Sequence, residues 1–305
     1  MLSRWWVYQH ERFPVLNHGP LIGAFSFSAV SFSSLLRGRA ALPGAGVALV
    51  AFVSVFLFFL QLRIADEFKD HEEDSRYRPY RPVPRGLVTL RELGILGFAA
   101  TLVQLGLALW LHSALALLLV PAWFYLGLMS KEFFVREWLK ARPFTYMWTH
   151  MLIMPLVDLY ATACDWLVAG ASPPRGLAWF LMVSFFNGII IEIGRKIRGP
   201  EDEEHGVETY SVVWGRRNAV LVWLVALLLT ATGALLAATR IGFAAPVAAL
   251  LAGLLIAAAV IAWRFLRRPV TARARLIEAM SGVWTLLMYL GLGAGPLLSQ
   301  LAGGR

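Results

Sequence analysis

Charge is scarce in this chain. Only 15% of its 305 residues are Asp, Glu, Lys or Arg, against about 25% in a soluble domain. No polar stretch is long enough to build a water-facing domain. Cysteine is rarer still. Cys164 stands alone, which excludes an intrachain disulfide and a cysteine-rich metal site. The N-terminus, MLSRWWVYQHERFPVLNHG, lacks the basic-then-apolar order of a signal peptide. Acidic residues number 19 against 28 Lys and Arg, for a net charge of +9. With so little polar surface, that excess sits in loops. There it reports topology or anionic ligands, and nucleic acid is not an expected partner.

Apolar residues fill the rest, at 58% of the chain. That composition predicts an all-α polytopic membrane protein. Nine apolar segments have about the length of a spanning helix: 18–38, 44–66, 90–111, 113–131, 143–165, 176–195, 218–239, 242–265 and 276–298. The expectation is one transmembrane domain over 1–305. Residues 1–17 read as an amphipathic segment with Trp5, Trp6 and Tyr8 at the lipid interface. With the N-terminus in the cytoplasm, 22 Lys and Arg fall in inside segments and five outside (Arg37, Arg39, Arg175, Arg240 and Arg305). The positive-inside rule selects that orientation.

Against this background one stretch is conspicuous: DEFKDHEEDSRYRPYRPVPRG, Asp66 to Gly86, directly after the second apolar run. Asp66, Asp70 and Asp74 are spaced i, i+4, i+8, which puts all three on one face of a continuous helix. Like charges in that arrangement repel, so helices do not collect them for stability. A divalent cation reverses the sign of the interaction. Hard carboxylate oxygens suit Mg²⁺, which takes one or two of them and fills its other positions with water and phosphate oxygens.

A second polar group closes the sixth run: FFNGIIIEIGRKIRGPEDEEHGVETYSVVWGRR. Glu192 lies near the membrane edge inside an apolar segment, where charge is costly and a functional role is the default. Lys196 follows at i+4, the favourable order for a helix ion pair. Asn187 precedes Glu192 by about a turn and a half, and Arg195 and Arg198 add to the cations. Asp202 belongs to the acidic run after Pro200. Between the fourth and fifth spans, SKEFFVREWLKARPF supplies Lys131, Arg136, Lys140 and Arg142 among aromatic residues. Such cations read either as a positive-inside loop or as a grip on a diphosphate. In the fifth span, His150 reads either as a packing histidine or as a group that orients or deprotonates an acceptor. Asp158 and Asp165 are placed toward the outer face.

These motifs resemble the UbiA superfamily of intramembrane prenyltransferases. DEFKDHEED is similar to that family's Asn-Asp-x-x-Asp-x-x-x-Asp motif, with Asp66 for the Asn, Glu67 for the first Asp, and Asp70 and Asp74 in place. RPVPRG, Arg81 to Gly86, looks like the family's Arg-Pro-Leu-Pro-Ser-Gly. GVETYSVVWG, Gly206 to Gly215, resembles the family's Gly-x-x-Thr-x-x-x-x-x-Gly stretch. The second acidic motif departs: Glu192 stands for its first Asp, Lys196 sits four residues on, and Asp202 and its neighbours offer the only later carboxylates.

The resemblance implies nine membrane helices in a UbiA-like bundle with a cytoplasm-facing cavity, in a bacterial cytoplasmic (inner) membrane. It implies Mg²⁺-dependent transfer of an isoprenyl group from a prenyl diphosphate to a lipophilic or aromatic acceptor. Asp66, Glu67, Asp70, Asp74, Glu192 and Asp202 are the expected metal ligands. Arg81, Lys131, Lys140, Arg142, Arg195, Arg198 and Asn187 are the expected diphosphate contacts. Asp70, Asp74, Glu192 and Lys196 carry catalysis, and Lys196 with Arg195 or Arg198 stands in for a second metal. The same architecture also serves terpene cyclases and enzymes that transfer a phosphoribosyl group to a polyprenyl phosphate. A divalent-cation transporter is the alternative of another class. It predicts acids spread along mid-span, whereas these cluster at one face. Nothing in the sequence sets the oligomeric state.

Overall fold

In lipid a backbone must satisfy its hydrogen bonds within the segment, so apolar runs of this length become helices. The computed structural model describes residues 2–303, and every regular element among them is helical. Arg305, counted above among the outer cations, lies outside the described residues. In chain order the helices are α1 (Leu2–Arg12), α2 (Val15–Leu36), α3 (Ala45–Lys69), α4 (His71–Tyr77), α5 (Leu90–Leu111), α6 (Leu115–Ser130), α7 (Arg136–Lys140) and α8 (Pro143–Met151). There follow α9 (Ile153–Trp166), α10 (Leu177–Arg195), α11 (Tyr210–Val213), α12 (Arg216–Arg240), α13 (Ala244–Arg267), α14 (Thr271–Leu292) and α15 (Ala294–Ala302).

Seven stretches are long and apolar enough to cross a bilayer: α2, α3, α5, α10, α12, α13 and the α14–α15 run. The chain is thus an integral membrane protein, with seven such stretches among the described residues rather than the nine expected. The other two expected spans are shorter or broken. α6 has 16 residues, and the fifth expected span is divided between α8 and α9 at Leu152. Pro155 explains the division, because it has no N–H to give the Met151 carbonyl one turn back.

The N-terminal segment also differs from expectation. Tyr8, expected at the lipid interface, is buried, while Trp6 is exposed. α1 is tied down by ion pairs: Arg4 to Glu92 at 2.6 Å, Glu11 to Arg85 at 2.8 Å, and Arg12 to Glu67. Glu92 has a second task, closing a capping box with Thr89 at the start of α5.

α10 is the central helix, packing on α12, α14, α9 and α8. Gly194 permits the close approach to α14, since a Cβ there would stand 2.1 Å from Ser281 Oγ. That hydroxyl accepts a hydrogen bond from Trp223 Nε1 at 2.9 Å, which ties α12 to the same point. Side-chain amides link the other spans. Gln104 on α5 donates to the Ser54 carbonyl on α3 and accepts from Trp123 on α6, both at 2.9 Å. Hydrogen bonds between helices hold where no hydrophobic gradient does, because the lipid is as apolar as the core.

Candidate active site

α3 ends in carboxylates, and the chain bends there. Asp70 (φ −94°, ψ 3°) interrupts the helix before α4 begins. The single straight face expected for Asp66, Asp70 and Asp74 is therefore kinked at its middle member. All three nonetheless line one cavity of about 1150 Å³. Glu192, Arg195, Lys196 and Arg198 line the same cavity from the end of α10, as do Arg81 and Lys140. Helix ends far apart in sequence thus share one polar rim. The deeper wall is apolar, with Ile22, Phe25, Phe59, Met154 and Leu286.

Each carboxylate has its own environment. Asp66 lies 3.5 Å from Arg63 and 3.6 Å from Lys69. Asp74 is buried and held by Arg81 at 2.5 Å and Arg78 at 3.4 Å. Glu73 faces Lys140 and Arg136, which bridges α4 to α7. Burial pulls the Glu73 carboxyl upward, but Lys140 and Arg136 hold it below the usual carboxylate range. Asp70 makes no ion pair among the described residues. Burial raises its carboxyl above the usual range; Asp66, Asp74 and Glu73 add to that, and Lys69 opposes it. Glu192 receives Arg195 at 2.6 Å and Lys196 at 2.7 Å, so the expected i, i+4 pair forms.

Four expected site residues are not brought to the rim. Glu67 is buried in an ion pair with Arg12, and of the two only Arg12 lines the cavity. Asp202 accepts from Thr271 Oγ1 at 3.0 Å, and Arg142 lies over the Trp138 ring at 4.4 Å. None of these, nor Lys131, lines the cavity. Asn187 does line it, but deeper than Glu192, by about 7.5 Å of helix rise.

Two groups were missed. Lys69 Nζ donates to Tyr146 OH at 2.9 Å, which donates to Glu132 Oε1 at 3.3 Å. Glu132 opens a turn of three residues with φ between 47° and 60°, the left-handed region that non-glycine residues avoid. A cation inside the acidic stretch was the available signal for Lys69. Asp158, placed toward the outer face, accepts from Tyr289 OH at 2.8 Å, and Tyr289 lines the cavity. Its signal was a carboxylate in the middle of an apolar run. His150 is buried, stacks on Tyr146 at 4.0 Å and bonds the Tyr146 carbonyl through Nδ1 at 2.8 Å.

The donor set can be tested against a metal. Among the described residues no three His, Cys, Asp or Glu converge as a ready-made site. Mg²⁺ needs fewer, because water and phosphate oxygens complete its shell. Asp70, which makes no ion pair among the described residues and is flanked one turn either side by Asp66 and Asp74, fits that requirement.

The model of the UbiA prenyltransferase family matches residues 24–282. This chain belongs to that family. Curated proteins give no sequence match. Solved structures share the UbiA fold at low identity. A structure concerned with digeranylgeranylglyceryl phosphate synthase is 16% identical, with TM-score 0.65 over 97% of this chain and 99% of that one. A UbiA homolog from Aeropyrum pernix K1 is 15% identical, with TM-score 0.66 over 92% and 98%. A UbiA homolog from Archaeoglobus fulgidus, bound to DMAPP and Mg²⁺, is 13% identical, with TM-score 0.55 over 90% and 97%.

Proposed function

We propose that this UbiA-family chain acts as one domain that transfers a prenyl group from its diphosphate to a lipophilic or aromatic acceptor in the bilayer, with Mg²⁺. One observation carries the reading: the carboxylates of α3–α4 and the cations of α10 line a single cavity whose deeper wall is apolar. The DMAPP and Mg²⁺ bound to the A. fulgidus homolog agree with it. The rim faces the cytoplasm, where the inside cations gather.

Asp70, with Asp66 and Asp74, holds the metal. When bound, Mg²⁺ neutralises charge on the departing diphosphate. Lys196, Arg195, Arg198, Arg81 and Lys140 supply the remaining positive field. Such preorganised charge, aimed where charge develops, is commonly the largest catalytic contribution. Glu192 keeps Lys196 and Arg195 oriented at the rim. Phe25, Phe59, Met154 and Leu286 surround the reacting end of the prenyl chain and exclude water from the allylic cation. The test is product analysis with a radiolabelled prenyl diphosphate on the purified protein in nanodiscs, with and without Mg²⁺. A labelled lipid product formed only with Mg²⁺ and abolished by Asp70→Ala supports the reading. Metal uptake into vesicles without any product overturns it.

A further inference from the structure

Where α13 gives way to α14, a second cleft opens, with a volume of about 460 Å³. Trp263, Arg264, Arg267, Arg268, Arg273 and Leu276 line it, and none of them lines the cavity of the carboxylate rim. Arg273 donates from Nη1 to the carbonyls of Arg264 and Arg268, which closes the last turn of α13. Arg267 lies over the Trp263 ring at 4.5 Å. Four guanidinium groups are thereby gathered at one turn. No carboxylate joins them: the chain has no Asp or Glu between Glu208 and Glu278.

A basic loop at the inner end of a span is expected, but this one differs from the others in how its charge is used. In each of the other three long cytoplasmic segments, at least half of the Lys and Arg pair with carboxylates of the fold: four of six in 67–91, two of four in 131–142 and four of five in 195–217. Among the described residues, none of the five arginines in 264–275 does so. Like charges this close repel, and an anion between them reverses the sign. Guanidinium groups suit phosphate, whose oxygens they grip in pairs.

The apolar surroundings say what kind of phosphate. α13 is the least covered of the seven spanning stretches. Ile256, Val260 and Trp263 are exposed on it at i, i+4 and i+7, and Arg267 continues the row one turn on. Leu276 and Val283, two turns apart on α14, are exposed as well. Trp263 and Leu276, the ends of the two rows, share the cleft. A soluble phosphate would meet the charges and leave both rows unused, whereas a phospholipid uses both. A choline or ethanolamine head would bring a further cation to a cleft with no carboxylate to receive it.

We propose that this cleft binds a phospholipid of net negative headgroup charge, with its phosphate held by Arg264, Arg267 and Arg268 and its acyl chains laid along α13 and α14. Arg273 keeps the turn closed around them. The site does not depend on the prenyl-transfer reading.

Native mass spectrometry of the full chain in detergent tests this, with phosphatidylglycerol and phosphatidylcholine of identical acyl chains as probes and glycerol 3-phosphate as the head without its chains. Wild type is expected to bind phosphatidylglycerol at least tenfold more tightly than phosphatidylcholine or glycerol 3-phosphate. The combined variant Arg264→Gln, Arg267→Gln, Arg268→Gln is expected to lose at least tenfold for phosphatidylglycerol. Removing three cations elsewhere, with Arg39→Gln, Arg91→Gln and Arg217→Gln, is expected to change that affinity less than threefold. If the first combination does not fold, Leu276→Glu, which puts a carboxylate at an exposed position in the cleft, is expected to give the same loss. Equal affinity for the two lipids, a preference that survives these cleft substitutions, or an equal loss in the control combination overturns the site. Glycerol 3-phosphate bound as tightly as phosphatidylglycerol overturns the lipid and leaves a soluble phosphate as the occupant.

Discussion

Lys196 Nζ stands 2.7 Å from Glu192 Oε1, where a second acidic motif would place two carboxylates. The position that would draw in a second metal carries its own cation, already fixed by the neighbour one turn back. Lys196→Ala should therefore weaken prenyl diphosphate binding about tenfold, as expected for loss of a charge-assisted contact of 1.5–3 kcal/mol. Lys196→Asp should steepen the dependence of activity on Mg²⁺ from one ion toward two. Mg²⁺ titrations of the three proteins check both. An unchanged titration in Lys196→Asp would remove the substitution idea.

Asp70 and Asp74 should separate in their effects, although both line the cavity. Asp70→Ala removes a carboxylate with no ion-pair partner among the described residues, so activity should fall at least about 100-fold while the melting temperature stays within a few degrees. Asp74→Ala strands Arg81 and Arg78 and should also destabilise the fold, by up to about 3 kcal/mol for a broken buried pair. Activity assays paired with thermal unfolding in detergent distinguish the two.

Glu67→Gln tests a residue that the motif assigns to metal binding and the fold assigns elsewhere. Its carboxylate faces Arg12, so the variant should loosen α1 and leave the Mg²⁺ dependence of activity as in wild type. Hydrogen exchange across 2–12 should rise. A changed Mg²⁺ requirement with α1 still protected would return Glu67 to the metal site.

Gly206 adopts φ +77°, and a Cβ there would fall 2.6 Å from the Tyr77 ring. Tyr77 and Gly206 both line the cavity, from α4 and from the loop before α11. Gly206→Ala carries the cost of a left-handed alanine, about 1–2 kcal/mol, and pushes the α4 end outward. Donor KM should rise more than tenfold with little change in the helical circular dichroism.

Much of this was legible because lipid makes strict demands. Runs of about 20 apolar residues had to be helical, and carboxylates at their ends had to be functional or solvated. The pairing of Glu192 with Lys196 followed from spacing alone. Other features depended on contacts across the chain. Nothing near Glu67 in sequence reveals that Arg12 will claim it. The break at Asp70 arises where three carboxylates crowd one helix end, and no proline or glycine marks it. The break before α9 did carry a mark, Pro155, but prolines in membrane helices are tolerated often enough that it predicted no split. Asp158 was assigned by its position along the span, whereas its bond to Tyr289 depends on how α9 and α14 lie together.

The anchoring of α1 has a consequence beyond stability. This helix exposes Trp6 to its surroundings and is fastened through Arg12 to Glu67, the residue adjoining Asp66. Lateral pressure in the headgroup layer therefore has a mechanical route to the carboxylate rim. Detergent, which relieves that pressure, should slow turnover relative to a bilayer, and removing α1 should abolish the difference between the two media.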